Sequence, residues 1–257
     1  MLPQAQLNKE YDLSSQPNQS LIDGIRCFQE LTTSETALGN KELAEKLNIN
    51  VVKVNRLLRT LKSVGMAEQN AQKKYLPGPA VHLLAAQSFH SSALLKAATH
   101  VALNTNYDDR TLAVGVLWND SVVYMYHAVA GQSPAEGLGG FNIFDVYNSS
   151  IGQVLLAQCD DDEIVRRISH WDEERKTTIK QRIRDIRENG FVHLYDENGL
   201  IYNVATVFSI AGAKAGIAFT DLSIEEDELL NYVSQLNELV ARIENFSQIS
   251  HKDIDHG

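Results

Sequence analysis

Cysteine is scarce in this 257-residue chain: Cys27 and Cys159 are the only two, and they form no metal-type spacing. Each falls on an apolar helical pattern, so a reduced, cytoplasmic protein is expected. Long hydrophobic runs are also missing. No stretch approaches the roughly 20 apolar residues that a membrane span needs. The opening segment MLPQAQLNKEYDLSSQPNQS has no apolar signal core, and residues 1–19 read as a disordered tail. There is no nucleophile elbow, zinc motif, phosphate loop or dinucleotide fingerprint, so no catalytic residue, metal ligand or cofactor is assigned. The acidic runs Asp108-Asp109 and Asp160–Glu163 read as turn and cap chemistry rather than paired catalytic carboxylates. His82, His90 and His100 lack the i, i+4 spacing of a helical metal pair, and His251, Asp253, Asp255 and His256 lie in a polar tail.

Positive charge is sparse overall and unevenly placed. The net charge is −10. Residues 20–80 nevertheless hold nine Lys/Arg against six Asp/Glu, whereas residues 81–257 hold 13 against 25. A small basic module is therefore joined to a larger acidic one. The length accommodates both as separate domains, and an apolar fraction of 44% provides each with a core.

The basic module contains the most informative segment. Residues 40–66 read NKELAEKLNINVVKVNRLLRTLKSVGM. A short amphipathic run from Lys41 to Leu47 breaks at Asn48-Ile49-Asn50. A second run, Val51 to Val64, carries Val54, Leu57, Leu58 and Leu61 at i, i+3, i+4 and i+7, the apolar stripe of a packed helix. Its opposite face carries Val52, Arg56, Arg59 and Ser63, flanked by Lys53, Asn55 and Thr60. An apolar back with a basic, amide-bearing front suits a helix that lies in a DNA major groove.

Local signals frame this helix-turn-helix. An earlier helix, residues 20–33, places Leu21, Ile25, Phe28 and Leu31 on one face. Asn40 is a plausible N-cap for the second helix, and Asn48 suits a left-handed turn after it. Asn50 can cap the third helix, and Gly65 ends it. Residues 66–76 read as two short strands around Asn70–Lys73, a wing whose Lys73 and Lys74 are placed to reach phosphate. The module over residues 20–79 is thus a winged helix-turn-helix, closed by Pro77-Gly78-Pro79.

Residues 80–104 read as an apolar linker helix with few charges, which suggests a dimer interface. Beyond it the pattern changes. TLAVGVLWNDSVVYMYHAV (111–129) gives two strands around Asn119-Asp120, and three more strands follow in GFVHLYD, YNVATVFSI and KAGIAFTDL. Residues 131–150 read as a long loop over a pocket, with Gly139-Gly140 shaping it. Helices are expected from SIGQVLLAQC, from Asp160 onward, over 173–189 and from about Ile224 to Phe246. Residues 105–246 therefore form a second, α/β module with a mainly antiparallel sheet, and 247–257 read as a frayed tail. The fold class is α+β.

These pieces in this order resemble the IclR-type transcriptional regulators. ELAEKLNI, VNRLLRTLKSVGMAEQ and YLPGP carry the likeness in the first domain. SSIGQVLLA, ENGF and AGIAFT carry it in the second. The resemblance spans about residues 20–246. It implies a GAF-like C-terminal domain that binds a small metabolite, often a carboxylate, and dimers or dimers of dimers on palindromic operators. Arg56 matches a typical family arginine, and Asn55 replaces a common histidine. Val51, Val52 and Lys53 stand where small hydroxyl residues are usual. In the second domain Asp145 and Tyr147 replace a proline and a histidine, Gln153 replaces a frequent lysine, and Asn203 replaces Cys or Ser.

The candidate DNA-binding residues are Asn50, Val52, Lys53, Asn55, Arg56, Arg59, Lys73 and Lys74. Asn55 can pair bidentately with adenine, and Arg56 with guanine or a phosphate. The candidate effector-binding residues are Tyr147, Ser149, Ser150 and Asn203. For the serines and Asn203 the plainer reading is helix capping and strand-edge hydrogen bonding; the functional one adds a polar ligand received by free N–H groups. Tyr202 is read as a packing residue. The expected function is a double-stranded-DNA-binding regulator, a repressor before an activator, modulated by a small molecule. The competing classes are a small-molecule-binding α/β enzyme and an adaptor that docks proteins through the winged helix. An adaptor would not need a basic recognition face.

Overall fold

Two side-chain caps and one left-handed turn set where the first helices start and stop. A computed structural model describes residues 18–105, 110–138 and 143–252. Asn18 accepts the Leu21 N–H and starts α1 (Gln19–Thr33). Asn48 takes the left-handed conformation (φ 52°, ψ 46°) that ends α2 (Asn40–Leu47). The Asn50 side chain then accepts the Val52 N–H at 2.8 Å and opens α3 (Val51–Ser63). Gly39, not Asn40, occupies the cap position of α2, where its N–H is accepted by Glu42. Asn40 is instead the first helical residue, and its amide donates to Asn55 on α3.

Strands β1 (Ala67–Gln69) and β2 (Tyr75–Pro77) pair antiparallel and form the wing. Leu31, Leu38, Leu43, Leu47, Val54, Leu58 and Tyr75 close the core of this module. One expectation for α1 is corrected. The buried face is Asp23, Cys27, Glu30 and Leu31, while Leu21 and Ile25 are exposed and Phe28 is half-buried. Two acids can occupy a buried face because each meets a lysine: Asp23 pairs with Lys53, and Glu30 lies 3.7 Å from Lys46. Leu21, Gly24, Ile25 and Phe28 instead line an open groove of about 760 Å³ with Leu57 and Leu61 of α3. Burial pushes the Cys27 thiol up to about 11, so it stays protonated.

The chain divides at Ser91/Ser92 into two compact units. The linker is two helices rather than one: α4 (Ala80–Ser91) and α5 (Ala93–Leu103). Ser92 has extended ψ (104°), and its hydroxyl accepts the Leu95 N–H, so a serine cap starts a new helix where apolar periodicity suggests continuity. None of α4 is buried, although it carries no Asp, Glu, Lys or Arg.

The second unit is built on a six-stranded sheet in the order β5-β4-β3-β8-β7-β6. The strands are β3 (Thr111–Trp118), β4 (Ser121–Ala128), β5 (Ile143–Asp145), β6 (Phe191–Tyr195), β7 (Ile201–Ile210) and β8 (Ala213–Thr220). Every pairing is antiparallel. Alternation along the strands gives the two faces different jobs. Leu112, Val114, Val204, Phe208, Ile217 and Phe219 pack against α5 and α9 (Glu226–Lys252), whose Leu229, Val233, Leu236, Leu239 and Ile243 form its apolar stripe. The other face presents Ala113, Ala205 and Ala218, each fully buried, to α6 (Ser150–Leu156), α7 (Asp161–Arg167) and α8 (Glu173–Asn189). The small floor lets α6 approach closely: a Cβ on Gly216 would stand 2.7 Å from Ile151. Helix α9 continues past Phe246 to Lys252, into the segment expected to fray. Part of the expected 131–150 loop is ordered as a 3-10 turn at Pro134–Gly137, as β5 and as a second 3-10 turn at Val146–Asn148. Asp108, Asp109, Gly139, Gly140, Asp253, Asp255 and His256 lie outside the described residues, as does the His251 side chain.

Candidate nucleic-acid interface and effector site

Of the polar groups on the solvent face of α3, two are tied back into the domain. Lys53 forms an ion pair with the buried Asp23 of α1. Burial pushes the Asp23 carboxyl up, but hydrogen bonds from Lys53 and Gln19 and the charge of Lys53 outweigh it, and the group is held below its ordinary value. Asn55 is half-buried and accepts from the Asn40 amide at 3.0 Å. Lys53 and Asn55 are thus correctly placed on α3 but engaged with α1 and α2, which expectations from one helix could not include. Asn50 is spent on its cap.

Val52, Arg56 and Arg59 remain. All three are exposed, and they follow one another at i, i+4 and i+7 along a single face. Neither arginine side chain has a hydrogen bond or ion pair among the described residues. In the wing, Asn70 accepts from the N–H groups of Gln72 and Lys74, and Gln69 donates to the Lys73 carbonyl. This holds Lys73 at φ 59° on the tip, exposed. Lys74 lies 3.6 Å from Glu42 of α2, both side chains about half exposed.

In the second unit, the four expected effector residues all lie on the α6 side of the sheet or on the turn entering it. Ser149 is committed: its hydroxyl accepts the Gly152 N–H at 3.1 Å and stands 3.2 Å from the Tyr124 hydroxyl. Ser150 is fully buried, and its hydroxyl has no hydrogen-bond partner. The same is true of Oδ1 of Asn203 on β7 and Oε1 of Gln153 on α6. The Gln153 orientation is fixed, because its amide N–H group donates to the Tyr147 carbonyl at 2.6 Å. A buried polar atom without a partner costs roughly 1–3 kcal/mol, and such atoms mark where a ligand can supply the missing bond. Asn203 pairs with Leu194 beside a β-bulge in the β6–β7 ladder, which places it on the α6 side.

Tyr147 lies under two guanidinium groups, with Arg175 at 4.5 Å and Arg182 at 5.4 Å from its ring centre. Its ring meets Trp171 edge-on. With Arg182, Asn189, His193 and Tyr202 it lines a cavity of about 570 Å³ between α8 and β6. Tyr202 therefore lines a cavity rather than only packing. Tyr124 and Arg182 stand beside these candidates although the sequence does not single them out, and it marks Gln153 only as a replacement for a lysine. Arg182 reads as one more charge on a charged helix until the fold sets Tyr147 beneath it. Burial raises the Tyr124 hydroxyl above its ordinary value, against the lowering effect of Ser149. Among the described residues no group of three His, Cys, Asp or Glu side chains is placed to hold a metal ion.

No family model matches the chain. Over 260 residues it is 26% identical to the HTH-type transcriptional regulator KdgR of Escherichia coli (strain K12), covering 90% of this chain and 94% of that protein. Its structure superposes on an IclR family transcriptional regulator from Brucella abortus with a TM-score of 0.72 at 18% identity, covering 93% and 97% of the two chains. The chain is thus similar over most of its length to transcriptional regulators, and its fold is that of the IclR-type regulators. An IclR homolog from Microbacterium hydrocarbonoxydans, complexed with 4-hydroxybenzoate, has the same fold, with a TM-score of 0.66 at 14% identity over 90% of this chain and all of that one.

The chain thus joins a winged helix-turn-helix to a GAF-like sheet domain. Among its described residues no helix is long and apolar enough to cross a membrane.

Proposed function

We propose that this regulator reads a palindromic operator as a homodimer and that a small molecule in the GAF-like domain sets its affinity for DNA. The observation that carries the reading is the unpaired Arg56–Arg59 face of α3, flanked by the wing tip Lys73, in a chain whose remainder is acidic. A major groove accepts one helix, and its phosphates reward the cations on either side. Residues 20–79 act as the DNA-binding domain and 105–246 as the effector domain.

A second copy is favoured by α4, which leaves Leu83 and Leu84 at least half exposed with no charged residue on the helix. Two copies would present two recognition helices at a fixed spacing, hence the palindrome. The unpartnered Ser150, Gln153 and Asn203 atoms favour a polar metabolite as effector. A carboxylate would find Arg182 at the neighbouring cavity. No cofactor, metal or catalytic role is assigned, and the proposed regulator is cytoplasmic and represses when its operator overlaps a promoter.

The test is a titration of the purified chain against the DNA upstream of its own gene, with nonspecific competitor, at two salt concentrations. Saturable, competitor-resistant binding that weakens with salt supports the reading. Binding that competitor abolishes at both salts contradicts operator recognition there.

A further inference from the structure

Val52 is a bulky apolar side chain standing 67% exposed in the first turn of α3, with Val51 beside it at 41%. Neither folding force explains it. A β-branched residue is a poor helix former, and an exposed one gains nothing by burial. The turn does not need it either, since the Asn50 cap uses only the Val52 backbone N–H. The polar side chains nearest to it on the helix, Lys53 and Asn55, are held by Asp23 and Asn40. The face presented at the start of α3 is therefore branched hydrocarbon, Val52 foremost with Val51 beside it, followed one turn later by the unpaired Arg56.

We infer that Val52 is a specificity-determining residue that packs on the C5-methyl group of a thymine in each half-site. This rests on the DNA-reading function proposed above and assigns one base within it. The first residues of a recognition helix contact base edges. In the major groove the thymine methyl is the one apolar feature that distinguishes base pairs, and a branched aliphatic side chain complements it, while Arg56 suits guanine O6 and N7. Val52 and Arg56 are four residues apart, a rise of about 6 Å. The thymine therefore lies within about two base-pair steps of the base that Arg56 contacts.

The experiment uses the full chain. Sequences are enriched from a random duplex library, and each thymine of the enriched half-site is replaced in turn by deoxyuridine, which lacks only the methyl. The wild type loses about fourfold in affinity at one thymine per half-site, the value of one buried methyl group. Val52→Ala binds the thymine and deoxyuridine duplexes equally. Because the side chain is exposed, the variant folds; its circular dichroism and oligomeric state provide the check. Indifference of the wild type to every deoxyuridine, or the same loss in Val52→Ala, overturns the thymine contact while leaving DNA reading intact. Val52 also borders the apolar α1–α3 groove, so an affinity drop in Val52→Ala that is equal on all duplexes, with the wild-type preference for thymine over deoxyuridine retained, assigns Val52 to that groove and also overturns the thymine contact. Failure of any sequence to enrich overturns the DNA-reading proposal itself.

Discussion

Lys53, on the outer side of the recognition helix, is ion-paired to Asp23, a carboxylate buried in α1. The pair fastens α3 to α1 and removes one cation from the surface offered to DNA.

Asp23→Asn should lower the stability of the small domain by about 2 kcal/mol, the scale of a hydrogen bond to a charged group. The effect should depend on pH. The Asp23 carboxyl is depressed below its ordinary 3.8 in the folded chain. Its contribution is therefore complete above that value and is lost as the pH falls through the folded-state value. Urea midpoints at pH 7 and pH 3 should differ by less in Asp23→Asn than in the wild type. Equal acid sensitivity would show that the pair does not carry the effect.

The wing lysines should differ in their response to salt. Lys73→Ala should reduce the slope of log affinity against log salt by about 1 and weaken all sequences alike. Lys74 is already close to Glu42, so Lys74→Ala should change the slope less, and Glu42→Gln should strengthen binding. Identical slopes for the two lysine variants would contradict the placement of Lys74.

Ser150→Ala removes a buried hydroxyl that has no partner in the fold. The variant should be as stable as the wild type or more so, because an unsatisfied group disappears with its cost of roughly 1–3 kcal/mol. It should also lose the rise in melting temperature that an effector gives the wild type. A destabilised variant would show that the hydroxyl is bonded within the fold.

Gly152 stands where α6 leaves its cap, and a Cβ there would lie 2.8 Å from Val146 Cα and carbonyl oxygen. Backbone cannot yield as a flexible side chain can. Gly152→Ala should therefore cost about 1–3 kcal/mol, read as a lower urea midpoint, and should weaken effector response more than DNA affinity. An unchanged midpoint would show that α6 can move away from the turn.

What the sequence makes legible is local. Asn48 in the left-handed turn, Asn50 as a cap, Gly65 at the end of α3 and the Asn119-Asp120 turn are all decided by residues within a few positions of one another. Strands β3, β4, β6, β7 and β8 follow from their residue patterns for the same reason, whereas the three-residue β5 does not. Asp23 illustrates what is hidden. Apolar periodicity assigns the buried face of α1 to Leu21 and Ile25, yet Asp23 and Glu30 are buried because lysines from α2 and α3 neutralise them. Such a partner, 30 residues away for Asp23, leaves no trace in periodicity. The break at Ser92 is hidden for a different reason: a serine that caps a new helix and a serine inside a long one look alike until the backbone turns. At the candidate effector site, residue types mark Ser149 and Ser150 equally. Only the fold shows that Ser149 is spent on a cap and on Tyr124, while Ser150 remains without a partner.

The most direct measurement compares the wild type with Arg56→Ala on DNA enriched by the wild type, at two salt concentrations, with the oligomeric state of both checked beforehand. Arg56 is exposed and unpaired, so its removal leaves the fold and assembly unchanged. The account predicts that specific affinity falls at least tenfold, with residual salt-dependent binding that no longer distinguishes the enriched sequence from competitor. Undiminished, sequence-selective binding by Arg56→Ala would contradict the assignment of α3 as the helix that reads DNA.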